Sequence, residues 1–370
     1  VSCTAGTNYS APASKTVKVT AEFILATLND NSWAAIHSVS GTGASYWAVG
    51  DRKAVAVSGT VGTQAVNGTY YAYIIGFNHN SSKEGNGITF GTFKTALSGG
   101  TDICLVDGKY NGYSTNGTKY FNMNHSSNTN AGGWKGCDLR YDVLGSTNTN
   151  DGDATATTAT NPVANTLMAA LPSDLRAVMQ PMTIYTDNTG GGSDNASYVT
   201  KTTDYLPLLA EYEIFGTRTY ANSAEKNYQA QYAYYSAGNS KVKYCHSATG
   251  STAWWWERSP NYNNSNNFCI VNTNGNANNN NARNSNGVAP DFVNQKWSGS
   301  IVVAQRVNYD PYERRNTSRD ENPKLPFDIL TRTPPESPCV HGERCILPRF
   351  MCHKLSRLDD ALQDICTEGE

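Results

Sequence analysis

Charge is scarce in this sequence: Lys, Arg, Asp and Glu make up 16% of its 370 residues, and the formal net charge is −2. Phosphate contacts need a dense Lys/Arg footprint, and no basic stripe is visible, so no nucleic-acid partner is expected. No run of about 18 apolar residues occurs, so no segment reads as a membrane-spanning helix or as inserting directly into a bilayer. A charged segment leading into an apolar one, the mark of a secretory leader, is missing as well; the chain opens on Val1, which is compatible with a processed start. Histidine is sparse, and His37, His79, His125 and His246 are dispersed, so no metal or cofactor is expected in the main body and no catalytic residue is assigned.

What the chain does have is aromatic and polar: 22 Tyr and 7 Trp set among abundant Asn, Ser, Thr and Gly. Tyr and Trp give contact area at little rotamer cost while Ser, Gly and Asn supply adaptable hydrogen bonds, the palette of a paratope. Hydrophobic residues at 38% suffice for a core. Nine cysteines are loosely spaced. For Cys3, Cys104, Cys137, Cys245 and Cys269, one or two disulfides and free packing thiols both stay open.

From Val17 to Gln305, short β-branched and aromatic runs alternate with Gly, Asn, Ser and Thr clusters, which predicts an α+β domain with an irregular strand-rich core, a few helices and long loops. Strands are expected at Tyr46–Val49, Ala54–Val57, Tyr70–Ile75, Thr183–Tyr185 and Ser300–Val303. Helices are expected at Val163–Leu171, from Pro172 to Met179, and, as a helix or aromatic loop, from Asn222 to Gly238. Residues 1–17 form an extension and 18–305 the domain. From Arg306 the texture changes: 22 of the last 65 residues are charged against 38 of the preceding 305, marking 306–370 as an unrelated tail. A closing amphipathic helix is expected at Arg349–Cys366. In the tail, Cys339, His341, Cys345, Cys352, His353 and Cys366 offer a zinc set at unfamiliar spacing, or two disulfides, or free thiols.

The most informative stretch is Trp254-Trp255-Trp256-Glu257-Arg258-Ser259-Pro260, then an Asn-rich tract, then Gly287-Val288-Ala289-Pro290-Asp291-Phe292. Of the 26 residues from 261 to 286, 14 are Asn. Composition alone would suit a disordered polar tract. Phe268–Thr273 nevertheless reads as a strand and Asn274-Gly275 as a hairpin turn, so the Asn residues are expected on an ordered scaffold. Adjacent strand residues alternate faces, which places Trp255 in the core. Glu257 and Arg258 are expected to form a surface ion pair at the head of the tract, contributing below about 1 kcal/mol. Tyr262, Ser265, Ile270, Arg283 and Asp291 are each reachable from an Asn codon by changing only its adenines, as a mutagenised display surface would be.

Tyr46-Trp47-Ala48-Val49-Gly50-Asp51, Ile74 to Asn80, Leu206 to Glu211, Arg218 to Lys226, and Trp255 to Pro260 through Gly287 to Pro290 together resemble a family of gut bacterial and phage proteins. Its members have a formylglycine-generating-enzyme-type C-type-lectin fold and serve as variable proteins of diversity-generating retroelements. The resemblance covers residues 18 to 294 and implies a C-type-lectin-like fold with a variable region at 257–292 that contacts a protein or glycan ligand on a cell or virion surface. An extracellular place, on a phage virion or a bacterial surface, follows from it. The variable positions it implies are Glu257, Asn261, Tyr262, Asn263, Asn264, Ser265, Asn266, Asn267, Ile270, Asn272, Asn274, Asn276, Asn278, Asn279, Asn280, Asn281, Arg283, Asn284, Asn286 and Asp291. Trp255, Trp256, Gly287 and Pro290 are the implied scaffold. Tyr262, Ile270 and Arg283 are the expected hot spots, since aromatic, apolar and guanidinium groups carry most interface energy.

Three further points bound this reading. Calcium-mediated sugar binding needs convergent carboxylates, and the region offers only Glu257 and Asp291, with no Glu-Pro-Asn or Trp-Asn-Asp; structural calcium at Asp187–Asp194 or Asn148–Asp153 stays open. Enzymes of this fold use a reactive Cys pair or a metal, and only Cys245 and Cys269 lie near the tract, so a binding protein is expected rather than an enzyme. Family members end soon after the tract, whereas this chain continues for some seventy residues. A non-diversified structural or decoration protein of a virion or cell surface is the alternative.

Overall fold

Fifteen strands and seven short α-helices build the described part of the chain. The structure, a computed structural model, describes residues 23–79, 87–107 and 121–295. The extension 1–17, the strand expected at Ser300–Val303, the helix expected at Arg349–Cys366, Cys3 and the whole tail 306–370 lie outside the described residues. The strands are β1 Arg52–Val57, β2 Thr60–Val61, β3 Gln64–Ala65, β4 Gly68–Phe77, β5 Ile88–Lys94, β6 Asp102–Ile103, β7 Met179–Gln180, β8 Met182–Asp187, β9 Val199–Asp204, β10 Lys243–Tyr244, β11 Thr252–Ala253, β12 Trp255–Pro260, β13 Asn267–Val271, β14 Ala277–Asn281 and β15 Phe292–Asn294. The helices are α1 Trp33–Ser38, α2 Asp138–Asp142, α3 Ala156–Thr160, α4 Leu167–Ala170, α5 Ser173–Arg176, α6 Glu211–Phe215 and α7 Ala233–Ser236.

The main sheet runs β1-β4-β5-β6-β10-β11, with β15 pairing both β5 and β7. β4 is its spine because Tyr-Tyr-Ala-Tyr-Ile-Ile is aromatic and β-branched, which suits a strand flanked on both sides. α1 closes one face: Trp33 packs edge-on against Phe90 and Phe292 at 5.2 and 5.9 Å. A separate sheet, β12-β13-β14, carries the Asn-rich tract, and β8-β9 forms a hairpin beside it. No helix among the described residues exceeds six residues, so packing and caps hold them rather than propensity. None is long and apolar enough to cross a membrane.

The fold is thus mixed α and β, strand-rich, with a few short helices. Ala54–Val57, Tyr70–Ile75 and Thr183–Tyr185 lie inside β1, β4 and β8 as expected. Tyr46–Val49 is not a strand: it follows a 3-10 turn at Ser40–Ser45, and the Trp47 amide donates back to Gly43 O at 3.0 Å. The helix expected from Val163 begins only at Leu167, because Asn165 takes a left-handed φ of 62° and the Thr166 hydroxyl caps the Ala169 amide. The next is cut short after Arg176, since Met179 joins β7. Asn222–Gly238 breaks into a 3-10 turn, Ser223–Asn227, and α7.

Candidate functional site

β12 is buried on both faces, which explains its Trp pair. Trp256 enters the large apolar cluster that includes Phe268 and Ile270, while Trp255 enters a second one with Tyr232, Tyr235 and Cys104. Each indole also finds an acceptor: Trp256 Nε1 donates to Phe121 O at 2.9 Å and Trp255 Nε1 to Lys241 O at 3.0 Å. Trp254, by contrast, is 40% exposed. Gly287 is required where it stands, because a Cβ there would collide with Cys104 Sγ. Pro290 is buried and bridges to Leu208.

β13 is the middle strand, paired with β12 on one side and β14 on the other. The turn between β13 and β14 forms as the Asn-Gly pair predicts, with Gly275 at φ 80°. Asn272 reinforces it by accepting the Asn274 and Asn276 amides on its Oδ1, at 2.9 and 3.0 Å.

The turn from 261 to 266 is held from outside itself. Buried Asn130 places its Nδ2 within 3.2, 3.0 and 2.8 Å of the carbonyl oxygens of Asn261, Asn264 and Asn267. Its backbone amide donates to Ser265 O at 2.7 Å, and its Oδ1 accepts from the Gly191 amide at 2.8 Å. Gly190 and Gly192 pass close beneath, both at positive φ, and a Cβ on Gly192 would stand 2.7 Å from the Ser265 nitrogen. The neighbouring Tyr262 is half-buried under Arg218, whose guanidinium carbon lies 4.3 Å from the ring centroid and which also pairs with Asp194 at 2.9 Å.

The structure divides the expected variable positions. Asn263, Asn264, Ser265, Asn266, Asn274, Asn276 and Asn281 are exposed, and Tyr262, Asn272, Asn278, Asn279, Asn280, Arg283 and Asn284 are half-buried. Six others face inward, a correction to the expected display set. Ile270 is fully buried because β13 is a central strand packed in the main cluster. Asn261 caps the Asn263 amide on its Oδ1 at 3.0 Å. Asn267 reaches across the sheet to Asn279, and Asn286 accepts from Asn280 at 3.1 Å. Asp291 lies beneath the Tyr232 hydroxyl at 3.5 Å.

Glu257 is the sixth, and the surface pair expected with Arg258 does not form. Arg258 is buried and clasps Glu213 with two bonds, at 2.6 and 2.5 Å, while its Nε donates to Thr186 Oγ1 and its Nη1 also to Leu208 O. Glu257 sits fully buried beside Glu211, Glu213 and Glu225, and neither of its carboxyl oxygens meets a hydrogen-bond donor among the described residues. Burial therefore pushes its carboxyl well above the usual range, and the neighbouring acids add to the effect. Burial lifts Glu225 to about 7 despite bonds from Ser259 and the Asp187 amide. Asp291 rises for the same first reason, with Glu213 adding to it.

Asp187, Asp194 and Asn148 serve as protein-capping groups. Asp187 accepts the Thr189 and Gly190 amides, Asp194 the Ser223 amide, and Asn148 the Thr158 hydroxyl. Cys104, Cys137, Cys245 and Cys269 are free and buried. Burial raises the thiols of Cys104, Cys137 and Cys269. An open cleft of about 240 Å³ lies beside the hairpin, lined by Trp254, Asp107, Thr273 and Asn286 among others.

Asn130, Arg218, Glu213 and Glu225 carry this architecture, yet none stands out as a site in the sequence. Asn130 is one Asn among many, and only the adjacent Gly132-Gly133-Trp134 hints at a tight turn there. The family model described as a domain of unknown function (DUF6273) matches residues 117–294, which takes in Asn130, Arg218 and the whole Asn-rich tract. No curated protein and no solved structure matches the chain.

Proposed function

We propose that this chain is a ligand-binding protein of C-type-lectin-like fold, displaying the 262–266 turn and the β13–β14 hairpin to a protein or glycan on a cell or virion surface. Its exposed positions are read as diversified by retroelement-templated adenine mutagenesis, and its setting as extracellular. One observation carries the reading: the 261–266 main chain is fixed by Asn130, outside the tract, while Asn263, Ser265 and Asn266 project into solvent. Side chains that do not hold the loop can change without unfolding it, which is what a variable surface requires. Enzymatic chemistry finds less support, because a nucleophilic thiol needs a lowered pKa and some exposure, whereas the Cys104, Cys137 and Cys269 thiols are buried and raised, and Cys245 is buried.

Sequencing this gene across a natural population, scored position by position, tests the proposal. Substitutions should concentrate at Tyr262 to Asn266, Asn274, Asn276, Asn278, Asn280, Asn281, Arg283 and Asn284. Glu257, Asn261, Asn267, Ile270, Asn286 and Asp291 should stay fixed with Trp255, Trp256, Gly287 and Pro290. Even or absent variation would instead leave a static decoration protein.

A further inference from the structure

We infer that His125, Asp138 and Asp142 form a binding site for one divalent transition cation of the zinc class. Each contributes a ligand atom, and these atoms lie within 4.8 Å of one another, all on half-buried side chains. A zinc ion bound at about 2.0–2.2 Å holds its nitrogen and oxygen ligands roughly 3–4 Å apart, so little movement is needed. Asp138 and Asp142 are four residues apart on α2, which places them on one side of the helix.

His125 is delivered by hydrogen bonds already formed without an ion. Its own amide donates to Asp138 Oδ2 at 2.8 Å, the Met123 and Asn124 amides donate to Ala282 O, and the Asp138 amide donates to Met123 O at 2.9 Å. The His125 Nδ1 and Asp138 Oδ2 already stand 2.6 Å apart. The proton between them is the one that cation binding would displace. An imidazole nitrogen with two carboxylates suits zinc, cobalt, nickel or manganese better than calcium or magnesium, which take all-oxygen sets. Ligation would tie the 121–129 segment to α2. That segment backs Ala282 and leads directly into Asn130, so an ion here would stiffen the support of the 261–266 turn. This inference does not depend on the proposed function.

The test uses the full chain after chelator dialysis. Zn²⁺ binding is followed by calorimetry, Co²⁺ binding by absorption, and melting with and without Zn²⁺, for the wild type, His125→Ala, His125→Gln and Asp142→Asn. Cysteine thiolates elsewhere give Co²⁺ intense near-ultraviolet bands, whereas this nitrogen and oxygen site gives only weak visible ones, so the two are separable. The expected result is one equivalent bound without thiolate bands, raising the wild-type midpoint by a few degrees, and its loss in every variant whose metal-free melting matches the wild type. Equal stoichiometry in wild type and such variants, or Co²⁺ bound only with thiolate bands, overturns the assignment.

Discussion

Arg258 and Glu213 form a doubly hydrogen-bonded ion pair with both side chains about 1% exposed. Arg258 stands at the head of the Asn-rich tract and Glu213 on α6, so the pair fastens β12 to a helix 45 residues upstream. Removing one partner strands a buried charge. Arg258→Leu should cost about 3–5 kcal/mol in denaturant unfolding, and the double variant with Glu213→Leu should recover part of that loss. A loss under about 1 kcal/mol would show that the pair is dispensable.

Glu257 presents the opposite case, a buried carboxyl that meets no hydrogen-bond donor among the described residues. Glu257→Gln removes the charge and keeps the shape, and should raise stability at pH 8 by on the order of 1 kcal/mol. Equal or lower stability at that pH would mean that another group compensates Glu257.

Native Glu225, Glu257 and Asp291 all hold their protons to higher pH than the unfolded chain does. Their contribution is therefore fully present below the unfolded values and is lost as pH rises through the folded ones. For Glu225 the window runs from 4.5 to about 7. Unfolding free energy should fall across that window, and Glu257→Gln should flatten the part of the fall that Glu257 causes. A stability that instead climbs steadily from pH 5 to pH 8 would contradict the raised carboxyls.

Asn130→Ala should lower stability by about 2 kcal/mol or more, since it removes the amide shared by three loop carbonyls. Hydrogen exchange offers the sharper readout. The amides of Asn261, Asn267 and Ala282, which close the turn, should exchange faster, while β4 amides stay protected.

The three expected hot spots part company. Tyr262→Asn together with Arg283→Asn should abolish capture of a cognate ligand and leave the melting temperature within a few degrees of wild type. Ile270→Asn should cost about 3 kcal/mol or more, because it empties a core position and buries an unsatisfied amide.

Much of the scaffold was legible because its signals are local. The β-branched run of β4, the Asn-Gly turn and the adjacent Trp residues follow from periodicity and turn chemistry alone. The inward set was not legible, because a uniform Asn tract has no hydrophobic period to say which side of a strand each residue takes. Glu257 and Asp291 misled for another reason: carboxylates are ordinarily exposed, and only the assembled interior reveals a buried acidic cluster with Arg258 at its centre. The Arg258 to Glu213 link joins segments whose closeness no short-range pattern encodes.

On the proposed reading, a glycan or protein meeting the 261–266 turn would encounter a contour that Asn130 holds from outside the tract. Relatives that keep Asn130 and the glycines beneath it would share one landing shape and differ only in the functional groups mounted on it. Recognition would then be re-tuned by exchanging chemistry at constant geometry, and a single bound structure could serve as a template for docking a whole repertoire.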